Sequence, residues 1–120
     1  MSIWDVHRTQ FPWLSIIQPD VFVDIINSLL LMYQDEGGDL PKWPMANGYT
    51  GAMIGTHSNV IIGDAIIKKF KGFDIDLAYK GMIQAATQEQ KNAGRSDIKD
   101  WIEKGFIPFE KKRHGACLTL

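Results

Sequence analysis

Apolar residues recur at three- and four-residue spacing in several stretches of the chain, and this periodicity predicts helices. The clearest stretch begins at Pro19, which suits a first helical turn, and stops at Gly37 and Gly38. Its apolar positions are Phe22, Ile25, Ile26, Leu29, Leu30 and Tyr33. The apolar run from Leu29 to Met32 is wide for a surface helix, so we expect this helix to pack on more than one side, as in a larger helical array.

Three further helices follow from the same pattern. The second is expected to open at Thr50 or Gly51 and to close at Gly72. Asp74 is a suitable N-cap for the third, which should fade near residue 90. Ser96 and Gly105 suit the two ends of a short fourth helix. Strand-like alternation is absent from the sequence, so we predict an all-α chain of roughly four helices with long loops.

Composition and charge narrow the class of protein. The 120 residues fit a single domain, and 13 basic against 14 acidic residues give a net charge of −1. This balance predicts no binding to nucleic acid or to an anionic membrane surface, and the basic cluster at residues 111–113 is expected to be a solvated loop. No apolar stretch reaches the ~18 residues that span a bilayer. The compartment is left open by the sequence.

The residues that most often carry chemistry are scattered. Cys117 is the only cysteine, so neither an internal disulfide nor a thiolate zinc site is expected. His7, His57 and His114 are far apart in the sequence, and each is more often a structural group than a catalyst in such a setting. Phosphate-binding glycine loops, nucleophile elbows and paired metal-binding histidines are missing from the sequence.

The segment between the first two long helices is stiff and aromatic. Pro41 and Pro44 flank Trp43, whose indole would offer a flat apolar face to the C–H face of a sugar. The alternative is that Trp43 only plugs one end of a helical pair.

Carboxylates also have either a structural or a catalytic role, because glycoside hydrolysis usually requires two of them on either side of the bond that is broken. The positions of Asp74 and Asp76 are explained by helix capping. Asp5, between Trp4 and Arg8, is compatible with a partly buried polar pocket.

Several motifs, taken in order, resemble glycoside hydrolase family 92. Residues 2–12, SIWDVHRTQFP, are similar to a family segment that begins SLWDTFRT and continues into a proline-containing turn. Further similarities are the IQP at 17–19, the LPKWP at 40–44, the MIGTH at 53–57, and the GFD at 72–74 with LAY at 77–79. The resemblance covers nearly the whole chain in the same order, which is more specific than any single motif.

The resemblance implies a fold and an activity. Residues 1–120 would be an internal fragment of an all-α catalytic domain, part of an (α/α)6 toroid. Family members are calcium-dependent exo-α-mannosidases that invert the anomeric centre, so mannose-containing glycans would be the substrates and the remainder of the domain would be a partner. By position in the matched motifs, the sugar contacts would be Trp4, Asp5, Arg8, Trp43 and His57. The resemblance assigns no metal ligand here.

Two departures from the family pattern bear on catalysis. Where many members read Asn-Glu-Thr, with the glutamate as general acid, this chain has Tyr49 before Thr50. A phenol gives up its proton at neutral pH far less readily than a carboxylic acid. The family's general base follows in a stretch beyond the position of Leu120. We therefore expect this segment to be inactive alone, or active in its parent only on substrates with a good leaving group such as mannosyl phosphate. The alternative is a non-catalytic carbohydrate-binding or structural helical module.

Overall fold

The computed structural model describes residues 3–35, 37–46, 48–50, 52–53, 55–89 and 98–108. In these ranges lie the helices α1 (Ile3–Val6), α2 (Gln10–Ile17), α3 (Pro19–Asp35), α4 (His57–Ile67), α5 (Ile75–Thr87) and α6 (Ile98–Lys104). A two-stranded antiparallel hairpin, β1 (Pro44–Met45) with β2 (Gly48–Tyr49), interrupts the segment between α3 and α4. The prediction of an all-α chain is confirmed. Among the described residues, no helix is both long and apolar enough to cross a membrane.

The long helix α3 lies at the centre of the core. It contacts α2, α4 and α5, which confirms that it packs on more than one side. Phe22, Ile26 and Leu29 are fully buried, and Phe22 meets Phe70 edge to face at 5.2 Å between ring centroids. Ile3 of α1 and Ile61 and Ile62 of α4 belong to the same cluster. The core therefore joins the N-terminal helix to α4, although 50 residues separate them along the chain.

Most predicted helix ends are where the sequence indicated. Gly37 and Gly105 have positive φ, and the amide of Gly38 donates to the carbonyl of Tyr33 at 2.9 Å, which closes α3. The Asp74 carboxylate accepts from the amide of Leu77 at 2.9 Å, so the predicted cap of α5 is confirmed. The proposed cap Ser96 lies outside the described residues, as do His114, Cys117 and the basic cluster at 111–113.

The predicted start of α4 was wrong. We expected helix from Thr50 or Gly51, but the helix begins at His57. Met53 and Gly55 both have positive φ, a conformation that interrupts a right-handed helix. The carbonyl of Met53 also accepts from Lys42 Nζ at 2.8 Å, outside any helical ladder.

Helices α1 and α2 and the short hairpin were not predicted. In α2, Phe11 and Ser15 are buried while Trp13, Ile16 and Ile17 are exposed. Apolar residues on both faces leave little periodic contrast, so the sequence pattern does not single out this helix.

The exposed face of α2 is unusually apolar. Trp13 is 61% exposed and Ile16 is 75% exposed, and Val21 at the start of α3 is exposed beside them along the chain. Contiguous apolar surface of this kind marks a packing interface.

The position of α3 in the core predicts a sharp contrast between two leucines on it. Leu29 is fully buried, whereas Leu31 is 59% exposed. Leu29→Ala should lower the free energy of unfolding by about 2–5 kcal/mol or abolish the cooperative transition. Leu31→Ala, the matched control, should change it by less than about 1 kcal/mol. Denaturant unfolding followed by circular dichroism measures both, and equal effects would contradict the central position of α3.

Candidate functional site

The residues carried over from the N-terminal motif lie on α1 and the turn that follows it. Ile3 anchors this segment in the core, and Trp4 beside it is half-buried. Asp5 and Arg8 are exposed. The partly buried pocket considered for Asp5 is therefore not where its carboxylate lies, because a helix of four residues anchored by Ile3 turns Asp5 outward.

Three aromatic rings meet where α1 contacts the start of α4. The imidazole of His57, the first residue of α4, stacks on that of His7 with 4.1 Å between centroids and 19° between planes. Trp4 meets His57 edge to face at 6.2 Å. The structure thus brings together two of the predicted sugar contacts, Trp4 of α1 and His57 of α4.

His7 was not among the predicted site residues. Its Nδ1 lies 2.9 Å from the carbonyl oxygen of Trp4. A carbonyl only accepts, so Nδ1 carries the proton and this bond sets the orientation of the ring. The one signal in the sequence was adjacency, since His7 stands within the same motif as Trp4 and Arg8.

A glycine makes room for this ring cluster. Gly55 has φ +86°, and a Cβ built there would lie 3.1 Å from Cε1 and from Nε2 of His57. A side chain at this position would both strain the backbone and press on the imidazole. The glycine two residues before His57 is therefore required by the close approach of the loop to the ring.

The other predicted site residues, Trp43 and Tyr49, lie on the hairpin between α3 and α4. Pro44 pairs with Tyr49 across the hairpin, and the hydroxyl of Thr50 donates to the carbonyl of Trp43 at 2.8 Å. Trp43 is half-buried. The loop reaches α4 through Ser58, whose buried hydroxyl donates to the carbonyl of Pro41. The hairpin and the ring cluster are thus both fixed to the first turn of α4.

The side chain of Tyr49 is turned toward its own loop. Its phenolic hydroxyl donates to the main-chain carbonyl of Asp39. Tyr49 and Asp39 are ten residues apart along the chain, and this bond joins β2 to the segment that leaves α3. Tyr49, the residue expected at the position of the family's general acid, therefore donates its phenolic proton to the backbone.

Lys42 supplies positive charge beside Trp43. It is half-buried, and burial lowers the pKa of its ammonium from the ordinary value. Its Nζ donates to the carbonyl of Met53 at 2.8 Å, while the described ion pairs of the chain join other lysines to carboxylates. Lys42 therefore holds a partly desolvated charge between two parts of the loop.

A cleft of about 380 Å³ opens next to the ring cluster. Arg8, His7 and Asp64 form its polar edge, and the remaining lining is apolar: Phe11, Pro12, Phe22, Val60 and Ile61. Asp64 is also bound to Lys68 at 2.7 Å. The cleft lies between α2, α3 and α4 and presents Arg8 at its rim.

A metal site does not follow from these positions. Among the described residues, no three histidine, cysteine, aspartate or glutamate side chains are grouped to hold an ion. The described donors therefore do not fit a calcium cage, which prefers 6–8 oxygen ligands.

Comparison with known proteins shows the family to which the chain belongs. The model of the glycosyl hydrolase family 92 catalytic domain matches residues 1–120. A solved structure, the family GH92 inverting mannosidase from Bacteroides thetaiotaomicron, superposes with a TM-score of 0.83 and 25% identity. The match covers 92% of this chain and 15% of that one. No curated protein matches the chain.

The lowered pKa of Lys42 predicts a pH dependence of stability. Because burial disfavours the ammonium in the folded chain only, the unfolded chain holds more protons in the alkaline range. The free energy of unfolding therefore increases as the pH rises from the pKa of Lys42 in the folded chain to the ordinary pKa of lysine. Lys42→Met should lose this gain in the alkaline range just below the ordinary pKa of lysine, measured by denaturant unfolding. Lys80→Met, at an exposed position on α5, should keep the wild-type pH dependence, and an unchanged dependence in Lys42→Met would contradict the assignment.

Proposed function

Because the chain belongs to glycosyl hydrolase family 92, we propose that the protein containing it is a glycosidase acting on the α-mannosides of glycans. The observation that carries this proposal is the family match over all of residues 1–120. It is supported by the likeness in fold to an inverting mannosidase. Since the chain spans 15% of the length of that relative, the activity is proposed for the whole protein rather than for this segment.

The contribution we propose for this segment is binding and orientation of the sugar. Trp4 meets His57 edge to face at the start of α4, and Trp43 stands on the loop tied to the same turn. Flat aromatic faces of this kind pack against sugar C–H groups. The exposed carboxylate of Asp5 and guanidinium of Arg8 on the adjoining segment supply an acceptor and donors for sugar hydroxyls.

Inverting hydrolysis needs one carboxylic acid for the leaving oxygen and one carboxylate to activate water. Tyr49 stands at the acid position of the matched motif, and its hydroxyl donates to the carbonyl of Asp39. We propose that the described residues bind the sugar, and that a carboxylate base comes from another part of the protein.

Calcium remains a proposal for the complete domain. In family 92 the ion helps to distort the mannose ring, but the described donors do not fit such a site.

A second candidate function is non-catalytic recognition of mannose-containing glycans. The bond from Tyr49 to Asp39 favours it, because a phenol whose proton is held by the backbone leaves the site without a described acid. In that case Asp5, Trp43 and His57 would contact sugar with no turnover.

Activity should respond to restoring the acid. In the full gene product, Tyr49→Glu should raise hydrolysis of α-mannobiose by roughly 10²- to 10⁴-fold, the usual contribution of a positioned acid, and hydrolysis of 4-nitrophenyl α-mannoside by less. The gain should be larger for mannobiose, whose leaving group needs a proton more. Tyr79→Glu, at an exposed tyrosine on α5, is the matched control and should have no effect.

The outcomes separate the two candidate functions. No gain in Tyr49→Glu would contradict the assignment of the acid position. Binding of α-mannosides without hydrolysis in either form would favour the recognition module. Hydrolysis of mannosyl phosphate by the unmodified protein, with little hydrolysis of mannobiose, would indicate a glycosidase that depends on a good leaving group.

Sugar binding should depend on the loop tryptophan. Trp43→Ala in the full gene product should weaken binding of an α-mannoside by about tenfold, since a lost aromatic contact costs on the order of 1 kcal/mol. Isothermal titration calorimetry with methyl α-mannoside measures this directly. Trp13→Ala, on the exposed face of α2, is the control. Equal affinity in the wild type and Trp43→Ala would mean that Trp43 only plugs the helix ends.

A further inference from the structure

The loop from Asp39 to Ser58 is held by side chains that donate to its own main chain. The ammonium of Lys42 and the hydroxyls of Tyr49, Thr50 and Ser58 each reach a loop carbonyl. Pro41 and Pro44 carry no amide hydrogen, and the hairpin pairs only two residues on each strand. The described residues of the loop contain little regular structure, so side-chain donors satisfy carbonyls that a helix or sheet would otherwise satisfy.

The hydrogen bond from the Tyr49 hydroxyl closes a segment of the loop that contains the hairpin. It spans residues 39 to 49 and ends on Asp39, which is itself buried. A buried carbonyl that accepts no hydrogen bond lowers the stability of the fold by about 1–3 kcal/mol. The phenol of Tyr49 therefore has a structural role, because it donates to the carbonyl of Asp39. A carbonyl only accepts hydrogen bonds, so the Tyr49 hydroxyl is the donor in this bond.

We propose that Tyr49 is a positioning residue that fixes Trp43, in place of the proton donor that the family has there. Trp43 lies inside the closed segment, and its own carbonyl accepts from Thr50, the residue after Tyr49. Its neighbour Pro44 pairs with Tyr49 across the hairpin. The position of the Trp43 main chain therefore depends on the strand that the phenol ties down.

The test uses fluorine NMR of the 120-residue chain labelled with 5-fluorotryptophan. The chain has four tryptophans, and the resonance missing from Trp43→Phe identifies Trp43. Tyr49→Phe removes only the hydroxyl. It should shift or broaden the Trp43 resonance while those of Trp4, Trp13 and Trp101 keep their positions. Tyr79→Phe removes the hydroxyl of an exposed tyrosine on α5 and should leave all four unchanged.

Two results would overturn the proposal. An unchanged Trp43 resonance in Tyr49→Phe would mean that the hydroxyl does not position the indole. Collapse of all four resonances to the positions of the urea-unfolded chain would mean that Tyr49 supports the whole fold rather than the loop. Thr50→Val, which removes the second tie and leaves the phenol in place, should move the Trp43 resonance alone.

Only the sugar-binding role of Trp43 rests on the proposed function; the positioning of Trp43 by Tyr49 does not. The fluorine spectra contain no sugar and no turnover, so failure of mannoside binding would leave the positioning result intact. In the full gene product, loss of the tie predicts a higher KM for mannosides in both Tyr49→Phe and Tyr49→Glu. Only Tyr49→Glu should also raise kcat, which separates positioning from proton donation.

Discussion

The burial of α3 among α2, α4 and α5 is the constraint on which the rest of the structure depends. Its inward residues meet Ile61 and Ile62 of α4 and Ile3 of α1 in one cluster. Because α1 has only four residues, it lacks the length to hold itself in place, and its position follows from that cluster. The contact between Trp4 and His57 is therefore a consequence of core packing, not of local sequence.

The candidate site is assembled at the first turn of α4. On one side His57 carries the ring cluster, and on the other Ser58 binds the loop through the carbonyl of Pro41. Adjacent residues of one helix thus connect the N-terminal motif to the aromatic loop. Gly55 permits this arrangement, since any side chain there would meet the His57 ring. A rigid helix end is a good support for binding residues because its backbone geometry is fixed by the core.

Features set by neighbouring residues were predictable from the sequence, and features set by distant residues were not. The cap at Asp74 and the stops at Gly37 and Gly105 depend on a single turn of chain, and they were predicted correctly. The start of α4 was wrong because side-chain bonds such as that from Lys42 to Met53 hold the preceding segment out of helix. The stack of His7 on His57 joins residues 50 positions apart, for which periodicity carries no signal. Trp4 and His57 were named only through family resemblance, which includes tertiary information that a single sequence does not display.

Membership of the family is compatible with Tyr49 at the expected acid position if sugar binding and proton transfer are considered separately. A carboxylic acid aimed at a glycosidic oxygen has to keep its proton available to the substrate. The phenol of Tyr49 instead donates to Asp39, and in doing so it closes the loop that carries Trp43. The Tyr49 hydroxyl does not hydrogen-bond to Asp39 and donate a proton to the substrate at the same time, because it has a single proton. We therefore propose that a tyrosine at the acid position exchanges proton donation for a more firmly held sugar-binding loop. A protein altered in this way would retain recognition of mannosides while depending on the leaving group for any hydrolysis.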